Sequence, residues 1–281
     1  MQASQFEQQI IDYYENCDVD YKLVWHLNSQ MAMHYGYWEP GTSRLRDALR
    51  LMNVKMAEMA GIQSGDKVLD AGCGVGGSSI FLAQNFNCQV NGITLSSKQV
   101  AEADANAVKN GVTGLTSFQV QNFCSTNFAD NSFDVVWAIE SVCHAFEKQD
   151  FLREAYRVLK PGGRLIVADF FKTESRIDLW MDKWAKSWAV NDFERTELFL
   201  QKAEQSGFKN ITAKNINKEI TPSVNRLYYC YFPGVVCDKV LRMLGKRNAI
   251  HQENMKSTLY QYKAFKNGSW QYMLVYGEKR Y

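Results

Sequence analysis

The sequence predicts an α/β protein whose strands form one doubly wound, largely parallel sheet. Three observations carry that expectation. The apolar run Val68–Ala71 feeds into the glycine-rich turn Gly72–Gly77, and a helix-forming stretch follows through Gln84. From Lys67 to Asp169, short strand-like runs alternate with segments of helix length, which is the pattern of strand–helix–strand units. The chain has 281 residues, 46% of them hydrophobic, enough for one large domain with insertions.

Taken in order, residues 4–60 read as helical pieces. Phe6, Ile10, Tyr13 and Tyr14 share one helix face. The segment Met31–Pro40 ends in a Pro-Gly turn. Leu45–Ala60 is a second helical run that stops at Gly61. Strands are expected near 67–71, 88–93, 115–121, 133–139 and 163–170, and helices near 77–86, 97–110 and 147–159. Pro161-Gly162-Gly163 reads as a turn between the last helix and strand of that series. Beyond Asp169, Ile177, Trp180, Met181, Trp184 and Trp188 recur at three- and four-residue spacings, one aromatic helical stripe expected to pack into the core, with a place in the substrate pocket as the alternative. A helix near 196–206 and a strand near 208–216 precede an insertion at 218–267, rich in Tyr, Leu and basic residues. Trp270–Tyr276 is a last strand, reached by a long return that allows it to run antiparallel.

Composition excludes several classes. A formal net charge of +2 predicts no strong attraction of the whole molecule to nucleic acid or acidic membranes. The seven Cys are scattered without a C-x-x-C pair, and the polar start Met1–Gln9 has no apolar h-region. Both point to a reduced, cytoplasmic setting. No apolar run approaches the roughly 18 residues of a membrane span, so only transient membrane contact is left open. With four His and no paired ligand spacing, no metal site is expected.

The chemistry starts at Asp70. It stands at a strand end, two residues before Gly72, on the edge where open α/β sheets bind ligands. Gly72, Gly74 and Gly77 satisfy G-x-G-x-x-G, a weak match to dinucleotide sites when taken alone. A carboxylate there repels a pyrophosphate and favours a phosphate-free, cationic nucleoside. S-adenosylmethionine, with its ammonium and sulfonium groups, fits. The alternative role for Asp70 is a turn cap.

Four segments then coincide: Val68–Ser78, Val90–Ser96, Asn131–Trp137 and Arg157–Gly163. In this order and spacing, over roughly residues 60–216, they resemble the class I S-adenosylmethionine-dependent methyltransferases. The Gly92–Ser96 segment with Gln99, and His34–Trp38, are similar to the small-molecule branch of sterol, tocopherol and geranyl diphosphate methyltransferases and cyclopropane fatty acid synthases. The resemblance implies a Rossmann-like seven-stranded sheet with the last strand antiparallel. It implies Asp70, Gly72 and Gly74 at the cofactor's methionine end, Thr94, Leu95 and Gln99 around the ribose, Asn122 and Phe123 bracketing adenine, and Ala138 near the amino group. His34 and Tyr35 are candidates to close over the cofactor, or simply pack. Thr94 and Asn122 depart from the acidic residues many relatives carry there, although an Asn carbonyl still accepts from an amine. The expected division is a helical cap at 1–60, a cofactor-binding core at 61–217, a substrate lid at 218–267 and a final core strand at 268–281.

For catalysis, Trp137–His144 follows the fourth strand on the ligand edge. His144 is a candidate general base or a structural histidine, and Glu140 is a candidate to orient cofactor or stabilise positive charge. Lys239, Arg242, Lys246 and Arg247 read as a solvated helix face, with a phosphate or carboxylate grip on substrate as the alternative. The expected reaction is methyl transfer to oxygen or carbon of a small lipophilic metabolite. Competing readings are N-methylation of a small polar amine, a nucleotide-dependent oxidoreductase, or a cofactor-binding protein without catalysis. Nucleic-acid methylation is disfavoured, because Asn122-Phe123-Cys124 lacks the prolines of the Asn-Pro-Pro-aromatic motif. The acceptor and the oligomeric state are not legible.

Overall fold

The computed structural model describes residues 3–173 and 178–280; Ile177 of the aromatic stripe lies outside them, as do Met1 and Gln2. Seven strands form one sheet: β1 (Lys67–Ala71), β2 (Gln89–Thr94), β3 (Thr116–Val120), β4 (Phe133–Ile139), β5 (Leu159–Lys172), β6 (Lys209–Asn215) and β7 (Trp270–Glu278). Their order is β3-β2-β1-β4-β5-β7-β6. β1 through β5 pair in parallel, and β7 runs antiparallel between β5 and β6. The order reverses beside β1, where β2 lies on one side and β4 on the other, and this opens the crevice at the strands' C-terminal ends.

Helices α1 (Ala3–Val24), α2 (Leu27–Gln30) and α3 (Leu45–Ala60) precede the sheet. Within it come α4 (Gly77–Phe86), α5 (Ser97–Asn110), α6 (Lys148–Val158), α7 (Leu179–Ser187) and α8 (Thr196–Gln205). The 218–267 insertion is a hairpin of α9 (Asn217–Met243) and α10 (Ala249–Lys266). Val68, Leu69, Asp70 and Ala71 are all buried, as expected of a central strand covered on both faces. Edge strand β6 is mostly exposed and carries Lys209 and Lys214, a guard against edge pairing.

Three expectations are corrected. Pro161-Gly162-Gly163 is not a turn but part of β5, which starts at Leu159. Leu159 already pairs with Phe133, the register shifts before Arg164, and Gly162 N–H donates to Lys279 O at 2.8 Å. The aromatic stripe divides. Trp184 is buried edge-on to Phe170 (5.0 Å between ring centres), whereas Trp180 lies under the Lys263 ammonium at 4.1 Å. Arg247 is not on a solvated face: its side chain is 8% exposed and bonds Asp20, with Asp238 3.5 Å away. Lys239, Arg242 and Lys246 are exposed. No described helix is long and apolar enough to cross a membrane.

Candidate active site

A cavity of about 400 Å³ opens at the crevice beside β1 and β4, within the ~300–1,000 Å³ usual for small-molecule sites. Its floor is the β1–α4 loop with Asp70, Gly72 and Gly74, the end of β2 with Thr94 and Leu95, and Glu140 after β4. Its cover is α1, through Phe6, Glu7, Ile10, Ile11 and Tyr14. None of residues 218–267 is on the wall of this cavity.

The glycines of the loop are demanded by neighbouring protein. Gly72 has φ +95°, and a Cβ there would lie 2.3 Å from the Ser141 Cβ. A Cβ on Gly77 would lie 2.0 Å from the carbonyl oxygen of Met31. The loop is therefore shaped to admit Ser141 and the 31–34 segment, which brings Met33 and His34 onto the wall.

Two buried carboxyl groups sit on this wall, and among the described residues neither is paired with a cation. Asp70 accepts from Ser79 Oγ at 2.6 Å, and burial pushes its pKa up to about 6. Glu140 holds a left-handed backbone (φ 49°), fixed by its N–H donating to Ala168 O at 2.8 Å. Its Oε1 accepts from Tyr35 N at 2.6 Å and from the Tyr272 hydroxyl at 2.7 Å, and burial raises its pKa well above the carboxylate range. A cation placed in the cavity would stabilise both ionised forms.

His144 is buried, and burial lowers its pKa to about 4, so the ring is neutral at physiological pH. Nδ1 lies 3.4 Å from Ala189 O, which can only accept. Nδ1 therefore carries the proton, and Nε2 accepts from the Tyr14 hydroxyl at 2.9 Å. Buried Lys148 steadies this segment, its ammonium donating to Cys143 O (2.9 Å), Ala145 O (2.7 Å) and Asp192 O (2.9 Å).

Asp70, Gly72, Gly74, Thr94, Leu95, Gln99, Asn122, Phe123, Glu140 and His144 all reach the wall. Tyr35 and Ala138 do not. Ala138 is fully buried within β4. The Tyr35 ring turns away to stack on Tyr272 (6.0 Å) and to bond Gln261 of α10; only its backbone N–H serves the site, through Glu140. Thr94 Oγ1 donates to Gln99 Oε1 at 2.6 Å, coupling two of the expected ribose neighbours. Asn122 Oδ1 accepts from Cys124 N (2.7 Å), and Asn122 Nδ2 donates to Glu7 Oε1 (2.7 Å).

Sequence reasoning missed the partnership of Tyr14 with His144 and of Glu7 with Asn122. The one available signal was the stripe Phe6, Ile10, Tyr14, which marks a buried face without saying what it covers. The wall also carries Glu147 and Asp150, and among the described residues it has no Lys or Arg.

Residues 69–167 match the family described as a methyltransferase domain. The chain is 37% identical over 150 residues to the 27-O-demethylrifamycin SV methyltransferase of Amycolatopsis mediterranei, covering 53% of this chain and 55% of that protein. It is 30% identical over 211 residues to the chloroplastic tocopherol O-methyltransferase of Arabidopsis thaliana, covering 68% and 61%. The match thus spans between half and two thirds of these relatives' length. Among solved structures, the [4+2]-cyclase SpnF superposes with a TM-score of 0.78 at 24% identity, covering 98% of this chain and 96% of that one, a likeness of fold.

Proposed function

The chain carries a class I S-adenosylmethionine-dependent methyltransferase domain, and on that premise we propose that the protein methylates a hydroxyl oxygen of a small, uncharged, largely apolar metabolite. The observation that carries this reading is the Tyr14···His144 hydrogen bond at the cavity wall. The wall suits the cofactor. Asp70 and Glu140 are buried acids in want of positive charge, and Gln99 and Asn122 offer polar atoms at its edge. When bound, the cofactor supplies a methyl group already activated on a sulfonium.

The chain's own residues then have three tasks. Asp70 and Glu140 draw the cationic end of the cofactor to the floor, and their ionised forms are favoured as they do so. Phe6, Ile10, Met31, Met33 and Phe146 exclude water, so that the reacting atoms meet in a dry site. Tyr14 accepts a hydrogen bond from the acceptor's hydroxyl while its own proton points at His144 Nε2. Loss of the acceptor proton then passes through Tyr14 to a neutral imidazole, whose Nδ1–H stays on Ala189 O. Among the described residues the Asp and Glu side chains of the wall face no Lys or Arg there, which selects against phosphate- or carboxylate-bearing acceptors. Lys239, Arg242 and Lys246 do not line the cavity, which removes them as an anion grip there.

Carbon methylation is the second reading, supported by Glu140 on the cavity wall, whose carboxyl group in its ionised form would stabilise a developing carbocation. The test is incubation with methyl-labelled S-adenosylmethionine and hydroxylated, phosphate-free isoprenoids, phenols and macrolactones, followed by organic extraction and NMR of the product. An O-methyl product in the organic phase is expected. A C-methyl product would move the proposal to the second reading. Label only on amines or anionic acceptors would overturn both.

A further inference from the structure

The α9–α10 hairpin takes no part in the cavity, yet α9 carries an exposed apolar stripe. Tyr229, Phe232, Val236, Val240 and Met243 follow one another at three- or four-residue steps, so they share one helix face. Tyr229 is 68% exposed, Val236 65% and Met243 80%. Such a face is not a folding requirement of α9, whose buried apolar residues Ile220, Val224 and Leu227 lie in its first half. Leu244, just past the helix end, is exposed as well.

Cations border the stripe. Lys239, Arg242 and Lys246 are exposed, and among the described residues none of them forms an ion pair. Lys239 and Arg242 also line a groove of about 500 Å³ between α9 and α10, together with Val235, Met243, Met255 and Lys256. The nearby acids are already engaged. Asp238 is buried 3.5 Å from Arg247, and Glu253 pairs with Lys256 at 2.8 Å. A net charge of +2 for the whole chain therefore hides a local excess of positive charge beside an apolar face.

We propose that the second half of α9, with the adjoining groove, docks the protein on an anionic lipid surface. The apolar stripe enters the headgroup boundary, while Lys239, Arg242 and Lys246 reach around it to the phosphates on their long alkyl stems. Charge decides between this occupant and a second copy of the chain. Stripe-to-stripe pairing would bring two sets of three unpaired cations together, whereas an anionic surface neutralises them. The hairpin is held rigidly enough to present the face. Arg247 at its turn clamps Asp20 of α1, and Gly234 admits Met255 of α10 to within 3.1 Å of where a Cβ would stand. The inference does not depend on which acceptor is methylated.

The test is co-sedimentation of the full chain with phosphatidylcholine vesicles, with and without phosphatidylglycerol. Binding is expected only to the anionic vesicles, and it should weaken as salt is raised. The triple variant Lys239→Glu, Arg242→Glu, Lys246→Glu should lose on the order of a hundredfold in partitioning. The variant Phe232→Ser, Val236→Ser, Met243→Ser should lose binding while keeping every cation. Both variants should keep wild-type affinity for S-adenosylmethionine by calorimetry, because these positions lie off the cavity wall. No binding to anionic vesicles, equal binding to neutral ones, or binding indifferent to both variants would overturn the proposal. So would a concentration-dependent dimer that the serine variant abolishes, since the face would then belong to a second copy.

Discussion

The cavity floor at residues 70–77 is locked by backbone hydrogen bonds, whereas its cover, residues 6–15 of α1, is attached by side chains. Gly72 N and Cys73 N both donate to Ile93 O at 2.9 Å, and Gly76 N donates to Cys73 O at 2.9 Å. Across the cavity, α1 reaches the core through Tyr14 to His144, Glu7 to Asn122 and Glu15 to Ser96. The floor is thus as stable as the sheet. The cover is held by side-chain bonds and by the buried faces of Phe6, Ile10 and Tyr13. Affinity for the cofactor should follow the floor, and turnover should follow the cover.

The sharpest way to break this division is at the pair that joins cover to core. His144→Ala should lower kcat by about a hundredfold or more, and Tyr14→Phe by about tenfold or more, with cofactor affinity changed by less than about twofold. Steady-state kinetics with parallel calorimetry decides it, and an unaltered kcat in Tyr14→Phe would reduce the cover to a steric wall. Because burial holds His144 near a pKa of about 4, it stays an unprotonated base through mild acid. With cofactor saturating, turnover should therefore hold steady as pH falls and drop only as about 4 is approached.

The next largest effect is on the floor. Asp70→Asn should weaken S-adenosylmethionine binding by about ten- to a hundredfold, the range for a lost charged hydrogen bond. The wild type should show a matching pH dependence. In the free protein Asp70 takes up a proton as pH falls through about 6, and a cationic ligand must expel it. Affinity should then fall below about pH 6 by up to about tenfold per unit for this carboxyl, and isothermal titration should find the slope reduced in Asp70→Asn, with Glu140 carrying what remains.

The smallest effect sharpens the comparison. Glu7→Gln removes a charge from the cover while leaving an oxygen for Asn122 Nδ2. Cofactor affinity should change by less than about threefold, as calorimetry would report. A larger loss would mean that the cover, too, contributes charge to binding.

Much of the floor was legible because its determinants are local. A strand entering a glycine turn, an acid at its end and regular strand–helix alternation placed β1, β2 and β4 to within a residue. The β5 boundary was not legible. Pro161-Gly162-Gly163 looks like a turn until Lys279, more than a hundred residues later, supplies its hydrogen-bond partner. The aromatic segment around Tyr35 left open whether it closes over the cofactor or packs, and only the fold brings Gln261 to its hydroxyl and Tyr272 to its ring. Arg247 could not be separated from its basic neighbours, because only folding brings Asp20 and Asp238 to it.

By itself, then, the sequence determined the sheet, the crevice and the acid that faces it, since each rests on the backbone preferences and hydrophobic period of a short stretch. The tertiary structure decided which helix covers the crevice and which tyrosine meets His144. An amphipathic stripe states that a face will be buried, but not against what. That choice is made by long-range packing, in which α1 lies over the strand ends and the 218–267 hairpin is left with an exposed face of its own.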